Sequence, residues 1–200
     1  MALTYFGLCN SDGTTIGNYW DYGWGTSTWK SVFRLGGGTP PPFSIPGSGT
    51  QVIKDLCVYS KSYGGTPANL RVALYKHPDN SKICEGFAQI LINNITARWW
   101  GHGPGLDNAL NPSAPEVTAG DLVDLAFSQD GDDIMLYGVD GGAAEYFNVD
   151  WTDYTEGFPA TYADPTDQRQ YGWNIRCGVE AAAGGLSIPV AMDIYRQRRN

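Results

Sequence analysis

One stretch limits the architecture more than any other. Between Thr118 and Val139 two runs alternate around an Asp-Gly step. Val123, Leu125 and Phe127 alternate with Asp124 and Ala126. Beyond the step, Ile134, Leu136 and Gly138 alternate with Met135, Tyr137 and Val139. A period of two is the mark of strands whose faces differ in burial. Asp130-Gly131 supplies the positive φ angles of a tight turn at little steric cost. The stretch therefore predicts an antiparallel hairpin. A lone hairpin is marginal in water, so the rest of the chain must supply a second layer.

The composition agrees. At 200 residues the chain is long enough for one domain with a sizeable core. Hydrophobic residues make up 42% and charged residues only 17%, which argues against disorder. The 26 Gly and 12 Pro call for many turns, and 7 Trp with 12 Tyr favour strands over helices. Net charge is −8. Arg196, Arg198 and Arg199 make the C-terminal end basic, so the body is more acidic still. Such a body repels phosphate backbones, and nucleic acid is not an expected partner. No apolar run reaches transmembrane length, so membrane insertion is not expected either. The start, Met1-Ala2-Leu3-Thr4, lacks the basic and long apolar parts of a secretory signal, so synthesis in a cytoplasm is expected.

The remaining strands follow in order. Leu3–Leu8, Lys30–Leu35, Gln51–Ser60, Leu70–Lys76, Lys82–Ile92 and Ala97–Trp100 read as strands. Gly17–Trp29 reads as an aromatic loop. Gly36-Gly37-Gly38-Thr39-Pro40-Pro41-Pro42 reads as a flexible joint followed by a stiff arm. Tyr146–Val149 is a short candidate strand, and Asp150–Asp167 is a second aromatic loop. In Tyr171–Val179, Tyr171, Trp173, Ile175, Cys177 and Val179 share one face. In Leu70–Lys76, Leu70, Val72 and Leu74 face one way, and Arg71, Ala73 and Tyr75 the other. Eight to ten short strands with this spacing suggest a two-sheet sandwich.

The order of features resembles a jelly-roll β-sandwich family common among bacteriophage structural proteins and similar to carbohydrate-binding modules. Four places carry the likeness. Tyr5-Phe6-Gly7 is followed by a variable loop and Ser31-Val32-Phe33-Arg34-Leu35. Ile53–Tyr59 leads to Asn69-Leu70-Arg71-Val72-Ala73-Leu74-Tyr75. Val117-Thr118-Ala119-Gly120-Asp121 enters a strand with Leu125-Ala126-Phe127. Gly157-Phe158-Pro159 precedes Tyr171–Cys177. The likeness spans residues 4 to 179 and its motifs are structural. It implies an all-β, jelly-roll-like antiparallel β-sandwich over 1–180, with long aromatic, Gly- and Pro-rich loops. Residues 181–200 lie beyond the likeness and are expected, from their own pattern, to form a C-terminal linker and docking segment. Family members serve as virion surface proteins, fibre heads or glycan-binding modules.

Two groups of residues are candidates for function. The first is the set of loop aromatics: Trp20, Tyr22, Trp24, Trp29, Trp99, Trp100, Trp151 and Tyr154. Exposed rings stack on sugar faces or bury at interfaces; the competing reading is that the loops pack their own aromatics. The second is the tail. Leu186, Ile188, Val190, Met192 and Ile194 alternate with polar or small residues, and Tyr195, Arg196, Arg198 and Arg199 follow. Docking on a neighbouring subunit and folding back on the same domain both fit this pattern. A strand and a short helix from Val190 both fit it locally. Asp130-Gly131-Asp132-Asp133 offers oxygen ligands but too few for calcium, and reads as an ordinary turn.

Nothing in the sequence marks a catalytic set. The two histidines, His77 and His102, stand in no recognised setting with a Ser or Cys. There is no phosphate loop or dinucleotide fingerprint, so no cofactor is expected. Cys9, Cys57, Cys84 and Cys177 lack metal-ligand spacing, so no metal is expected; they read as buried thiols, with one disulfide left open. The expectation is a non-enzymatic virion structural protein, a capsid decoration, head fibre or tail component. It is expected to self-associate, as a trimer by analogy with such modules, and to contact other virion proteins. The alternative is a glycan-binding adhesion or receptor-binding module, secreted or on the virion, with a cell-surface glycan as ligand.

Overall fold

In the computed structural model the chain is all-β. The structure describes residues 2–17, 19–22, 31–35, 42–62, 67–91, 93–106, 108–129, 134–140, 147–150, 157–161, 167–169 and 171–182. Among them are strands β1 (Thr4–Leu8), β2 (Tyr19–Tyr22), β3 (Ser31–Leu35), β4 (Phe43–Ser44), β5 (Thr50–Ser62), β6 (Ala68–Lys76), β7 (Lys82–Ile90) and β8 (Arg98–His102). They continue with β9 (Leu110–Asn111), β10 (Glu116–Thr118), β11 (Leu122–Gln129), β12 (Ile134–Asp140), β13 (Phe147–Asp150), β14 (Asp167–Arg169), β15 (Tyr171–Trp173) and β16 (Ile175–Ala181). Every pairing is antiparallel. The strands form two sheets. One runs β1-β16-β5-β12-β15, with β8 and β10 on the far edge of β5 and β2 beside β12. The other runs β14-β13-β3-β11-β6-β7-β9, with β4 beside β11. The all-β antiparallel sandwich expected from the sequence is therefore the fold.

The core lies between the sheets and follows the alternations. Leu70, Val72 and Leu74 of β6 enter it, as do Trp173, Ile175, Cys177 and Val179. They meet Ile53, Leu56 and Val58 of β5 and Val123, Leu125 and Phe127 of β11. The other face of β6 is covered too: Ala73 and Tyr75 pack with Ala126 and Phe158 in a second, smaller cluster.

The hairpin expected at Thr118–Val139 does not form. β11 pairs with β3, β4 and β6, whereas β12 pairs with β5, β15 and β2, in the opposite sheet. Alternation identified both strands but carries no information on which strand is whose neighbour. Packed sheets lie about 10 Å apart, and a linker of about four residues spans that at ~3.3 Å each. A short connection therefore serves a crossing between sheets as well as a turn within one. The linker itself, including Asp130-Gly131-Asp132-Asp133, lies outside the described residues.

Other boundaries moved for local reasons. Tyr19–Tyr22, expected in a loop, is a strand beside β12. The run Tyr171–Val179 is two strands, broken at Asn174. That residue is fully buried. Its side chain accepts from Ile16 N (2.6 Å) and donates to Ile16 O (2.9 Å) and Tyr137 O (2.7 Å). The break lets β15 pair with β12 while β16 pairs with β5. A bulge between Gly178 and Val179 sets Asp55 opposite Gly178 and skips Lys54.

Candidate binding groove

The strand β8, Arg-Trp-Trp-Gly-His, lines a half-open groove. Consecutive side chains on a strand point to opposite faces. Trp100 enters the core, 4% exposed, and its indole N–H donates to Ser60 O at 3.0 Å. Arg98 shares the Trp100 face; its guanidinium carbon lies 3.8 Å from the centre of the Trp100 ring. Beyond the strand, the loop through Gly105 and Leu106 returns to Asn108. The Asn108 amide donates to Gly101 O at 3.0 Å, and its backbone carbonyl takes a short contact from the His102 ring Nδ1. Across from these, β7 turns Phe87 and Gln89 outward.

Together these residues enclose a half-open groove of about 340 Å³. That is at the small end of the ~300–1,000 Å³ usual for small-molecule sites. Phe87 is 39% exposed, and Arg71 stands 5.1 Å over its ring. Gln89 donates to Asn69 at 3.4 Å. Gly101 lets the floor approach β5: at φ +137° a Cβ would lie 2.2 Å from Leu56 O. Ring faces, amides and a guanidinium are the groups that hold polar, ring-shaped ligands.

A second cluster lies on the outer face of the first sheet. Arg176 donates to both carboxylate oxygens of Asp55, at 3.0 and 2.8 Å, and to Gly13 O at 2.8 Å. Its guanidinium also sits 4.3 Å from the Trp99 ring centre and 5.0 Å from that of Tyr5. Asp55 is fully buried. Burial pushes its carboxyl up from the ordinary value, with Arg176 pulling against it. Burial likewise raises Tyr5 and Cys57. The Cys57 thiol donates to His102 O at 3.2 Å. The cluster ties β1, β5, β8 and β16 together and leaves Arg176 little to offer a ligand.

On the outer face of the second sheet, residues 157–161 are held as a strap. Phe158 N donates to Glu85 at 2.9 Å, and Lys82 Nζ donates to Phe158 O at 2.6 Å. Tyr75 OH donates to Pro159 O at 2.9 Å. Farther along that face, His77 Nδ1 lies 3.4 Å from the buried carboxylate of Asp124. The four cysteines are free thiols, three of them buried.

The structure divides the residues expected to carry function. Trp99 and Trp100 are not on one surface. Trp99 is half-buried on the outer face, 5.3 Å from Tyr59 edge-on and beneath Arg176. Trp100 belongs to the core and meets the groove only at its back. Trp20 and Tyr22 lie on β2, whose side chains are outside what the structure describes. Trp24, Trp29, Trp151 and Tyr154 lie outside the described residues, as do Leu186, Ile188, Val190, Met192, Ile194, Tyr195, Arg196, Arg198 and Arg199. Phe87, Gln89, Arg98 and Asn108 were missed. They come from two strands and a loop, and only Arg98, two residues before Trp100, carried a sequence signal: residues two apart on a strand share a face.

No protein-family model, curated protein or solved structure matches the chain.

Proposed function

We propose that the chain is a non-enzymatic virion protein, a jelly-roll-like module displayed on a bacteriophage particle as a decoration, head-fibre or tail component. It acts by binding rather than by turnover. One observation carries the display reading. β1 and β16 are neighbours, with Thr4 opposite Val179, and Ala182 N bonds to Thr50 O. The two ends of the sandwich therefore leave at the same end of the first sheet. Arg98 pairs with Ser60, some ten residues along β5 from Thr50. A module tethered at one end leaves the other free to meet a partner. The resemblance supplies the virion setting, and the segment 186–200 supplies the attachment and self-assembly.

Deleting residues 186–200 tests this. The truncated chain stays folded, sediments as a monomer and is missing from purified particles by mass spectrometry. A truncated chain that still oligomerises and loads onto particles sinks the attachment role. Particles in which the full chain is never found sink the virion reading.

The groove favours a second reading: the same module recognises a glycan. An exposed ring, two amides and a stacked guanidinium in one half-open groove are suited to a sugar ring and its hydroxyls. A broad glycan array decides it. Binding that weakens in Phe87→Ala supports the reading; an array with no binder removes it.

A further inference from the structure

The groove differs in charge from the chain that carries it. The chain has a net charge of −8. Yet the described residues lining the groove, chiefly Phe87, Gln89, Arg98, Trp100, Leu106 and Asn108, include no carboxylate. Arg98 is exposed, and its contact among the described residues is the Trp100 ring beneath it. None of the described ion pairs involves it.

The other stacked arginine of this sheet shows what such a group holds. Arg176 also lies over a tryptophan, Trp99, and its fork grips a carboxylate, Asp55, through two nitrogens. Stacking occupies the face of a guanidinium and leaves its N–H edge for planar, two-pronged acceptors. At Arg176 the chain itself supplies the acceptor. At Arg98 the same arrangement opens onto a groove. The lining offers a ring face at Phe87 and amides at Gln89 and Asn108, which suit a pyranose and its hydroxyls rather than a bare anion.

We infer that the groove takes an acidic saccharide, a sugar whose carboxylate lies on the Arg98 fork while its ring rests against Phe87. The amides of Gln89 and Asn108 meet its hydroxyls. The inference rests on the glycan-binding reading and narrows it to one ligand class. It also explains how a strongly acidic protein accepts an acidic ligand: the attraction is local, and salt at physiological strength screens the repulsion of charges beyond about 8 Å.

The test uses the full chain, followed by calorimetry and by tryptophan fluorescence. The probes are oligogalacturonate, oligosialate and a hyaluronan hexasaccharide, each beside its carboxyl-reduced form, and a poly-aspartate peptide. At least one acidic sugar is expected to bind about tenfold or more tighter than its reduced partner. Arg98→Gln should abolish that difference, and Phe87→Ala should weaken binding of both forms. Equal affinity for an acidic sugar and its reduced form overturns the inference while the glycan reading stands. So does a neutral binder on the broad array with no binding across the acidic panel. Silence on both the panel and the array overturns the two together. Tighter binding of poly-aspartate than of any sugar, lost in Arg98→Gln, makes the groove a peptide site and overturns the inference.

Discussion

Arg176 holds the buried carboxylate of Asp55 through two hydrogen bonds, at 3.0 and 2.8 Å, between neighbouring strands of one sheet. Asp55 is fully buried, and the Arg176 side chain is 16% exposed. A buried pair of this kind adds little over an apolar pair of the same shape, but breaking it leaves a charge without compensation. Arg176→Leu is therefore expected to destabilise the fold by about 3–5 kcal/mol. In a domain of this size that lowers Tm by roughly 6–20 °C. Thermal and urea unfolding check it. A loss below about 1 kcal/mol, the range of a surface pair, would mean that the bridge is not buried in solution.

Gly101 and Gly105 separate two reasons for a glycine. Both have positive φ, +137° and +78°. A Cβ on Gly101 would meet Leu56 O at 2.2 Å, whereas around Gly105 nothing lies within 4 Å. Gly105→Ala should cost about 1–2 kcal/mol, the strain of a left-handed residue. Gly101→Ala must also push β8 from β5, because its obstacle is backbone that cannot rotate away. Its cost should exceed that of Gly105→Ala by several fold, read as urea midpoints. Equal costs would show that the strands separate freely at this point.

The thiols set the alkaline limb of stability. Burial pushes Cys9 up to about 11 and Cys84 up to about 12. An unfolded thiol titrates near 8.5. Above about pH 8.5 the unfolded chain loses these protons while the folded chain keeps them, so the folded state binds more protons. Stability from this source is complete below about pH 8.5 and falls as pH rises, buried Cys84 contributing roughly 1.4 kcal/mol per unit until its folded pKa is passed and half-buried Cys9 less, because solvent screens it. Urea midpoints at pH 8, 9.5 and 10.5 should fall in order, and Cys84→Ala should flatten the slope. A slope unchanged in that variant assigns the alkaline loss to other groups. At pH 8 Cys84 should label with maleimide only as fast as the chain unfolds, with half-buried Cys9 ahead of it.

Much of the fold was legible in the chain because alternation reports faces directly. Leu70, Val72 and Leu74, and Trp173, Ile175, Cys177 and Val179, went to the core as their spacing required. Neighbours were harder. The Asp-Gly step after Gln129 pointed to a hairpin, yet β11 and β12 lie in different sheets, since a linker long enough to turn is long enough to cross. Asp55 was invisible as a lone acid within Ile53-Lys54-Asp55-Leu56-Cys57-Val58: its partner is 121 positions away. The groove was half legible. The Trp99-Trp100 pair drew attention to the right strand, but adjacent strand residues face opposite ways. The two rings could never have formed one surface. Arg98, on the Trp100 face, was the residue the same rule would have selected.

That rule separates a core residue from a binding residue at the groove. Trp100 is 4% exposed, anchored by its N–H to Ser60 O, and packed in the main core. Trp100→Ala removes one of the largest core side chains and is expected to cost about 3–5 kcal/mol. It also leaves the Ser60 carbonyl without that donor and Arg98 without its platform. Phe87 is 39% exposed, so Phe87→Ala should change stability by less than about 1 kcal/mol. The two variants should therefore part on different axes: Trp100→Ala in the urea midpoint, Phe87→Ala in ligand titration at an unchanged midpoint. If Trp100→Ala unfolds at the wild-type midpoint, the ring is not a core element. The face of β8 that carries Arg98 would then be open from both sides.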